Sequence, residues 1–465
     1  MTAVWKTALH KRFLPRDQIP GRFTHYALRN NEIRTERHIV KPNSTLPALQ
    51  SALDFPLVQA LLGRRSRRFG LGMALVDGPL AYTSQHDPLP LNETEQMLVL
   101  LAAAGNSGWN YLIPRQNAAL SAIANYPAAA GGRTFPSAAG WHTTELFYTD
   151  DDGAYFFPTR DVPALAEPNV DGEFNMDELL AAHRARVRQL SKHRLQIAPA
   201  HMDAHNTWCA NAPGSTLLIP VADMAQHLIG VICFMVQNGG SIYDNVHNER
   251  IPGLARFAHL VDVENPAPLT EIEMNCLTMC MAELSIACHN GMLMLQALGL
   301  GGWLYTGLDA FAVLGAGGAA SPGLGFRYDT NVAWNTPNPT GLPGVLEGFC
   351  PPHFADMRAA VEAFVARKFG PGGPLNAETA GPWRDNARVR GSAIAHNAEF
   401  IECVALMAQY VYDRFGRFPA TVPTMFTRIY LQAQHLDTDF YDVHFAPGAY
   451  LRTHGAHMQN WHGDA

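Results

Sequence analysis

The sequence is poor in charged residues and in cysteine. Only 16% of the 465 residues are charged, against about 25% in an average globular protein. This disfavours a salt-bridge-laced coiled coil, and the 47% hydrophobic content excludes a disordered chain. Seven cysteines, an odd number, are too few for a disulfide framework in a chain of this length. Sparse cysteine predicts a reducing, cytoplasmic location.

Long hydrophobic segments are also scarce. The first 23 residues contain no apolar run of the kind that a secretory signal needs. One apolar stretch, residues 291–320, is long enough to span a bilayer, but it contains Gln296 and Asp309 and is divided by glycines. We therefore predict a buried helix followed by a strand, and no membrane segment.

The charge balance disfavours nucleic-acid binding. The chain has 34 basic and 41 acidic residues, which leaves a net charge of −7. A mildly acidic protein lacks the overall positive field that attracts a phosphate backbone. We predict no nucleic-acid partner.

Helical and β-prone patterns are mixed along the chain without a regular alternation, which predicts an α+β fold. The clearest helices are residues 92–104, where Asn92 is a good N-cap, and residues 270–300, where Thr270 is expected to cap and Gly299 to end the helix. The other expected elements are a hairpin over 143–157, a strand and helix over 216–237, a loop over 316–352, and helices over 55–62, 177–190, 354–369 and 392–415.

A dinucleotide fingerprint is present by pattern but disfavoured by its context. Gly315, Gly317 and Ala320 match G-x-G-x-x-A after an apolar run. Such a site needs a helix that begins at the glycines and directs its N-terminus at the pyrophosphate. Ser321 and Pro322 follow at once and would break that helix. We therefore do not predict a Rossmann site.

A basic segment with the sequence RRSRRF predicts an anion site. It contains Arg64, Arg65, Ser66, Arg67 and Arg68. Arginine forks match phosphate geometry, and a serine hydroxyl adds a donor. The alternative is a solvated basic loop.

Two further segments follow in the chain. Residues 136–157 read PSAAGWHTTELFYTDDDGAYFF, and residues 289–303 read HNGMLMLQALGLGGW. Together with RRSRRF, and in this order, they resemble the nitroreductase-like family of flavoproteins. The resemblance is nearest to the branch of azoline-oxidising dehydrogenases of peptide biosynthesis, and it covers roughly residues 55–330.

The resemblance implies a central, mostly antiparallel sheet flanked by helices. It divides the chain into an N-terminal arm (1–54), an FMN-binding core (55–330) and a helical C-terminal extension (331–465).

The resemblance also implies FMN as cofactor, with positive charge near the flavin to stabilise its reduced anion. By analogy, the basic segment would bind the phosphate, the ribityl chain and the N1–C2=O edge. Residues 136–138 would lie against the isoalloxazine, and Thr306 or Gly307 would offer a backbone N–H to flavin N5. The implied FMN-binding residues are Arg64, Arg65, Ser66, Arg68, Pro136, Ser137, Ala138, Thr306, Gly307 and Arg327.

The activity implied is an FMN-dependent oxidoreductase that passes hydride through flavin N5. The family usually holds its flavin at a homodimer interface, so a homodimer is expected. The substrate, a small molecule or a peptide, and the donor, NADH, NADPH or neither, stay open. Trp109, Tyr111, Trp141 and Trp208 are candidates for stacking on an aromatic substrate, or for core packing.

Twenty histidines suggest two alternatives to this function. One cluster is His201, Asp203 and His205, which would share a face if the segment were a strand. The other begins at His435, Asp437 and Asp439 and continues with His444, His454, His457 and His462. A metal-dependent hydrolase or oxygenase is therefore one alternative, although no metal ligand is assigned. A non-catalytic descendant of the flavin fold that binds a partner is the other.

Overall fold

The computed structural model describes residues 47–114, 126–162, 167–319, 321–329, 337–422 and 427–463. Its helices are α1 Pro47–Leu53, α2 Leu57–Gly63, α3 Glu93–Ala104, α4 Met176–Arg184, α5 Met224–Gln237, α6 Leu269–Leu298, α7 Met357–Phe369, α8 Asn386–Arg390, α9 Ala398–Phe415, α10 Thr438–His444, α11 Arg452–Gly455 and α12 His457–His462.

The strands alternate irregularly with these helices. They are β1 Ala74–Leu75, β2 Tyr82–Thr83, β3 Asn106–Trp109, β4 Gly131–Arg133, β5 Thr144–Asp150, β6 Gly153–Phe157, β7 Arg188–Ser191, β8 Thr216–Asp223, β9 Ile242–Tyr243, β10 Ala267–Pro268, β11 Gly301–Tyr305, β12 Arg327–Asp329, β13 Asn338–Leu342, β14 Leu346–Glu347, β15 Thr421–Val422 and β16 Tyr430–Gln434.

The main sheet has seven strands in the order β11-β16-β8-β5-β6-β7, with β15 paired to β8. Each of these pairs is antiparallel. The predicted α+β class with a mostly antiparallel sheet is therefore confirmed.

Both faces of the sheet are buried. Leu146, Leu218 and Leu431 pack with α3 and α6 on one face. Phe147 and Ile219, which point the other way, join a second cluster rich in aromatic rings. A third cluster joins α5, α7 and α9.

Local signals explain the elements that were predicted well. Asn92 caps α3: its side chain accepts from the N–H groups of Thr94 and Glu95, and Glu95 accepts from the Asn92 N–H in return. The hairpin turns where the Asp150 carboxylate accepts from the N–H groups of Asp152 and Gly153. Helix α6 ends at Gly299, whose φ of 81° is left-handed.

Other local predictions were wrong. The predicted helix over 177–190 ends at Arg184, and strand β7 follows it. Pro268, not Thr270, is the N-cap of α6. The described part of the predicted loop 316–352 contains strands β12, β13 and β14.

The two ends of the chain differ from their expected character. Most of the predicted arm, residues 1–46, lies outside the described residues. Its last part is helix α1, in which Leu49 is buried. Strand β16, from the predicted extension, lies between β11 and β8 inside the main sheet. The sheet thus takes strands from both sides of residue 330, and the division into core and extension stays a prediction.

None of the described helices is both long enough and apolar enough to cross a membrane. The stretch 291–320 supplies the end of α6, strand β11 and a π-helical turn, Ala312–Ala316. Gly315 and Gly317 of the dinucleotide pattern lie in and just after this turn, whereas Ala320 lies outside the described residues.

Candidate functional site

The basic segment lies along the edge of the main sheet. Arg67 and Gly302 of β11 exchange backbone hydrogen bonds of 3.0 and 2.9 Å. Gly302 is required because an added Cβ would lie 2.3 Å from the Gln432 carbonyl oxygen. The backbone is extended here, so neighbouring arginine side chains point in opposite directions.

Arg67 points inward and holds the structure together. Its guanidinium donates to Gln296 Oε1 at 2.9 Å, to the Ala449 carbonyl at 3.0 Å and to the Gly63 carbonyl at 3.2 Å. Burial lowers the pKa of Arg67 to about 10, so it stays charged at neutral pH. Through these three hydrogen bonds, Arg67 connects α2, α6 and the C-terminal segment.

Beside this segment lies a cavity of about 600 Å³, a size typical of small-molecule sites. Basic and aromatic side chains dominate its wall. The residues that line it include Arg65, Ser66, Arg67, Arg68, Phe69, Trp208, Phe440, Tyr441 and Phe445.

Arg68 lies between two indole rings. Its guanidinium carbon is 5.6 Å from the Trp208 ring centroid and 5.3 Å from that of Trp303. The ring centroids of Phe69 and Phe440 are 4.1 Å apart and the rings are stacked, so the wall next to Arg68 is aromatic. A cation held against aromatic faces suits a flat, electron-rich, anionic ligand.

The rest of the segment is more exposed. Arg65 and Ser66 lie at the solvent side of the cavity, and Arg65 Nη1 donates to the nearby carbonyls of Leu62 and Arg64. Arg64 is half-buried and does not line the cavity. Of the four predicted residues here, the structure gathers Arg65, Ser66 and Arg68 at the cavity.

Thr306 and Gly307 follow β11 and lie near Arg68. Arg68 Nη1 is 3.5 Å from Asn206 Oδ1, and a Cβ added at Gly307 would lie 2.3 Å from Asn206 Nδ2. The Gly307 carbonyl also accepts from the Asp203 N–H at 2.9 Å. Asn206 thus lies against both Arg68 and Gly307 and links the two predicted groups.

Pro136, Ser137 and Ala138 lie elsewhere in the same chain. Ser137 Oγ donates to the carboxylate of Glu283 in α6, and the Glu283 carboxylate also accepts from Thr143 and Thr144. Burial raises the pKa of Glu283. Glu283 precedes Gln296, the partner of Arg67, by thirteen residues, which is about 20 Å along a helix. One chain therefore does not bring residues 136–138 to the cavity.

Arg327 is also absent from the cavity wall. Its guanidinium pairs with Glu347 at 2.7 Å and donates to Thr340 Oγ1 at 3.1 Å within the small sheet β12-β13-β14. Glu347 and Thr340 hold the Arg327 guanidinium, so its position does not require a bound phosphate.

Several cavity residues were not predicted because they come from distant parts of the chain. Phe440 and Tyr441 belong to α10, and the Tyr441 hydroxyl accepts from the Phe69 N–H at 3.4 Å. Burial raises the pKa of Tyr441 to about 12, so the phenol stays protonated at neutral pH. In the sequence, the only indication of these two cavity residues is that aromatic residues are frequent near the C-terminus. Trp208 is one of the four aromatic residues that the sequence offers for stacking on a substrate.

The two histidine clusters have different outcomes. His201 pairs with Asp309 at 3.0 Å, and the segment from His201 to His205 forms short 3-10 turns and not the strand that a shared face required. His435, His457 and His462 meet one another at Glu95 of α3. Glu95 lies more than 300 residues before these histidines, so no local pattern predicts that it joins them.

Comparisons with known proteins give little further information. No protein-family model matches the chain, and no curated protein matches its sequence. Among solved structures, a candidate nitroreductase from Ralstonia eutropha JMP134 is similar at 16% sequence identity, over 64% of this chain and 87% of its own, with a TM-score of 0.26. A similarity this weak leaves the function to be inferred from the site.

Proposed function

We propose that this chain is an FMN-dependent oxidoreductase of the nitroreductase type. The observation that supports it is the cavity in which Arg65, Ser66 and Arg68 meet the aromatic wall of Trp208 and Phe440. A cationic, hydroxyl-bearing end beside flat rings fits a ligand that carries both a phosphate and a fused aromatic system.

Different residues of the cavity would bind different parts of the ligand. Arg65 and Ser66, at the exposed end, would bind the phosphate. Arg68, held between Trp208 and Trp303, would lie near the ring system and favour negative charge on it. The bound FMN would supply reversible hydride transfer. The aromatic side chains would exclude water from the ring, and the protonated Tyr441 would keep Phe69 in place through its hydrogen bond.

We further propose that the functional unit is a homodimer. Helix α2 exposes Leu57, Val58, Leu61 and Leu62 to solvent, by 65%, 64%, 47% and 72%. An apolar group of this kind on a helix next to a cavity is typical of a covered surface. Residues 136 and 138 are exposed as well. A second copy on this face would both cover α2 and supply residues 136–138 to a cavity that one chain leaves without them.

Comparing FMN with riboflavin tests the assignment, because the two ligands differ only in the phosphate. The double variant Arg65→Ala/Ser66→Ala should weaken FMN binding at least about 100-fold, since it removes two charge-assisted contacts of about 1.5–3 kcal/mol each, and should hardly affect riboflavin. Trp208→Ala should weaken both ligands alike. Arg256→Ala, which removes an exposed guanidinium paired with Glu402 on another face, is the matched control.

Fluorescence titration of the flavin-free protein measures these affinities. If the double variant loses affinity for FMN and riboflavin equally, Arg65 and Ser66 do not bind the phosphate. No binding of either ligand by the unaltered protein would exclude the proposed function.

A further inference from the structure

Three histidines and one glutamate meet where α3, the end of β16 and α12 come together. Glu95 is in the first turn of α3, His435 directly follows β16, and His457 and His462 are the two ends of α12. Glu95, His435 and His457 are exposed by 0%, 1% and 3%. His462, the fourth group, is partly exposed, but three such groups are rarely buried together without a partner that satisfies them.

The distances within the cluster match a coordination shell. His462 Nε2 lies 3.0 Å from Glu95 Oε1, and His457 Nε2 lies 3.2 Å from the same oxygen. His435 Nε2 lies 3.2 Å from His462 Nε2 and 3.5 Å from Glu95 Oε2. Ligand atoms about 2.0–2.2 Å from a tetrahedral zinc ion are about 3.3–3.6 Å from one another. The His462–Glu95, His457–Glu95 and His435–His462 distances are close to three of these edges, and all four ligand atoms lie within 4.8 Å of one another.

The second nitrogen of two histidines fixes their tautomer. His435 Nδ1 is 2.8 Å from the Leu89 carbonyl oxygen, and His457 Nδ1 is 2.8 Å from the Leu298 carbonyl oxygen. A carbonyl only accepts, so each Nδ1 carries the proton, and in the neutral ring Nε2 is left with a bare lone pair. Histidines that bind metals characteristically make this contact with their other nitrogen.

Neutral rings in these positions would put bare nitrogens against a carboxylate, so the cluster requires a positive charge, either a proton on an imidazole or a metal cation. His457 Nε2 is buried and makes no well-aligned hydrogen bond among the described residues, although Glu95 Oε1 lies 3.2 Å away. It faces Glu95 Oε1, which also has only lone pairs to offer. A divalent cation at the centre would accept a lone pair from all four groups.

We propose that Glu95, His435, His457 and His462 bind one Zn²⁺ ion in a closed, structural site. Three imidazoles and a carboxylate are ligands that zinc accepts, and four protein ligands leave no position open for water or substrate. The site therefore differs from the catalytic metal centre that the histidine content suggested as an alternative function.

The ion would fix the C-terminal segment against the rest of the fold. Its ligands join α3 and the end of β16 to α12, and α11 just before it is tied to α6 because Thr453 Oγ1 donates to the Gln296 carbonyl at 2.8 Å. The same segment supplies Ala449 and Leu451 to the cavity wall. Zinc would thereby maintain one wall of the cavity without touching its ligand.

Metal analysis of the full-length protein, purified without a polyhistidine tag, tests the proposal. We expect about one zinc per chain, and at least about tenfold less in His457→Gln. His454→Gln is the matched control: His454 is equally buried, three residues away and outside the cluster, so that variant should keep its zinc.

The unaltered protein gives a second measurement that does not depend on a variant folding. Removal of zinc by dipicolinate should lower the melting temperature, and added Zn²⁺ but not Mg²⁺ should restore it. If the purified protein is metal-free and Zn²⁺ does not change its melting temperature, the cluster is a carboxylate paired with imidazolium rings. If His457→Gln and His454→Gln contain equal amounts of zinc, His457 is not a ligand. Either result would overturn the proposal without bearing on flavin binding.

Discussion

Adjacent arginines in the basic segment have opposite roles, and the difference comes from the alternation of side chains in an extended backbone. Both line the cavity, but the Arg67 guanidinium is held by three protein acceptors and is 3% exposed, whereas the Arg68 guanidinium lies over the rings of Trp208 and Trp303. The sequence predicts the basic segment and its chemistry. It cannot tell which arginine turns inward, because that depends on the pairing of Arg67 with Gly302, far along the chain.

This difference predicts unequal effects on stability. Arg67→Ala leaves Gln296 Oε1 and the Ala449 carbonyl without their donor and should lower the free energy of unfolding by about 2–4 kcal/mol. Arg68→Ala should cost less than about 1 kcal/mol and should instead weaken ligand binding. Urea unfolding of the two variants measures both values. Equal destabilisation would refute the division of roles.

A buried histidine makes a second prediction at this scale. Burial lowers the pKa of His227 to about 3, and neither of its ring nitrogens has a hydrogen-bond partner among the described residues. The unfolded chain takes up this proton below about pH 6.5, whereas the folded chain does not. The contribution of His227 to stability is therefore complete above pH 6.5 and is lost as the pH falls toward 3.

His227→Phe should remove that dependence and keep the edge contact with Trp141, whose ring centroid is 4.3 Å away. Between pH 7.5 and pH 5 the unfolding free energy of the variant should fall about 2 kcal/mol less than that of the unaltered protein. Urea titrations at the two pH values measure the difference. The pH-dependent contributions of the other histidines to the unfolding free energy are the same in both proteins and cancel in the comparison. Parallel pH profiles of the two proteins would therefore contradict the prediction.

At the scale of elements, the sequence predicts best where the deciding contacts are local. The capping box of α3 and the Asp150 turn of the hairpin join residues no more than three positions apart. Strand β16 was missed because its partners, β8 and β11, precede it by more than a hundred residues. With only five residues, β16 is too short for its pattern alone to separate a strand from a buried helix segment.

The α3 cap is testable in isolation from the cavity. Asn92→Ala removes the side chain that accepts from the Thr94 and Glu95 N–H groups and should cost about 1 kcal/mol. Asn92→Asp, which keeps an acceptor at the same place, should cost much less and serves as the control. Equal unfolding midpoints in urea for both variants and the unaltered protein would show that the cap is dispensable.

At the scale of the whole molecule, the C-terminal residues complete the main sheet. A chain that stops after residue 422 lacks β16, and β8 and β11 then lose their shared neighbour. We expect this shortened chain to be insoluble or to unfold without cooperativity, as measured by circular dichroism during heating. A soluble, cooperatively folded product would instead favour a detachable extension.

The proposed homodimer is tested on helix α2. Leu57→Glu/Leu61→Glu alters two exposed side chains and no residue that lines the cavity, so it should not disturb the monomer fold. Light scattering should give a dimer for the unaltered protein and a monomer for the variant, with weaker FMN binding in the monomer. An unaltered protein that is monomeric while it binds FMN tightly would exclude a site shared between two copies.

The absorption spectrum of the purified full-length protein tests the proposed function most directly. We predict the two visible bands of a flavin, and release of FMN, at about one per chain, into the supernatant after heat denaturation. A colourless protein whose tryptophan fluorescence does not change on addition of FMN would contradict the proposal.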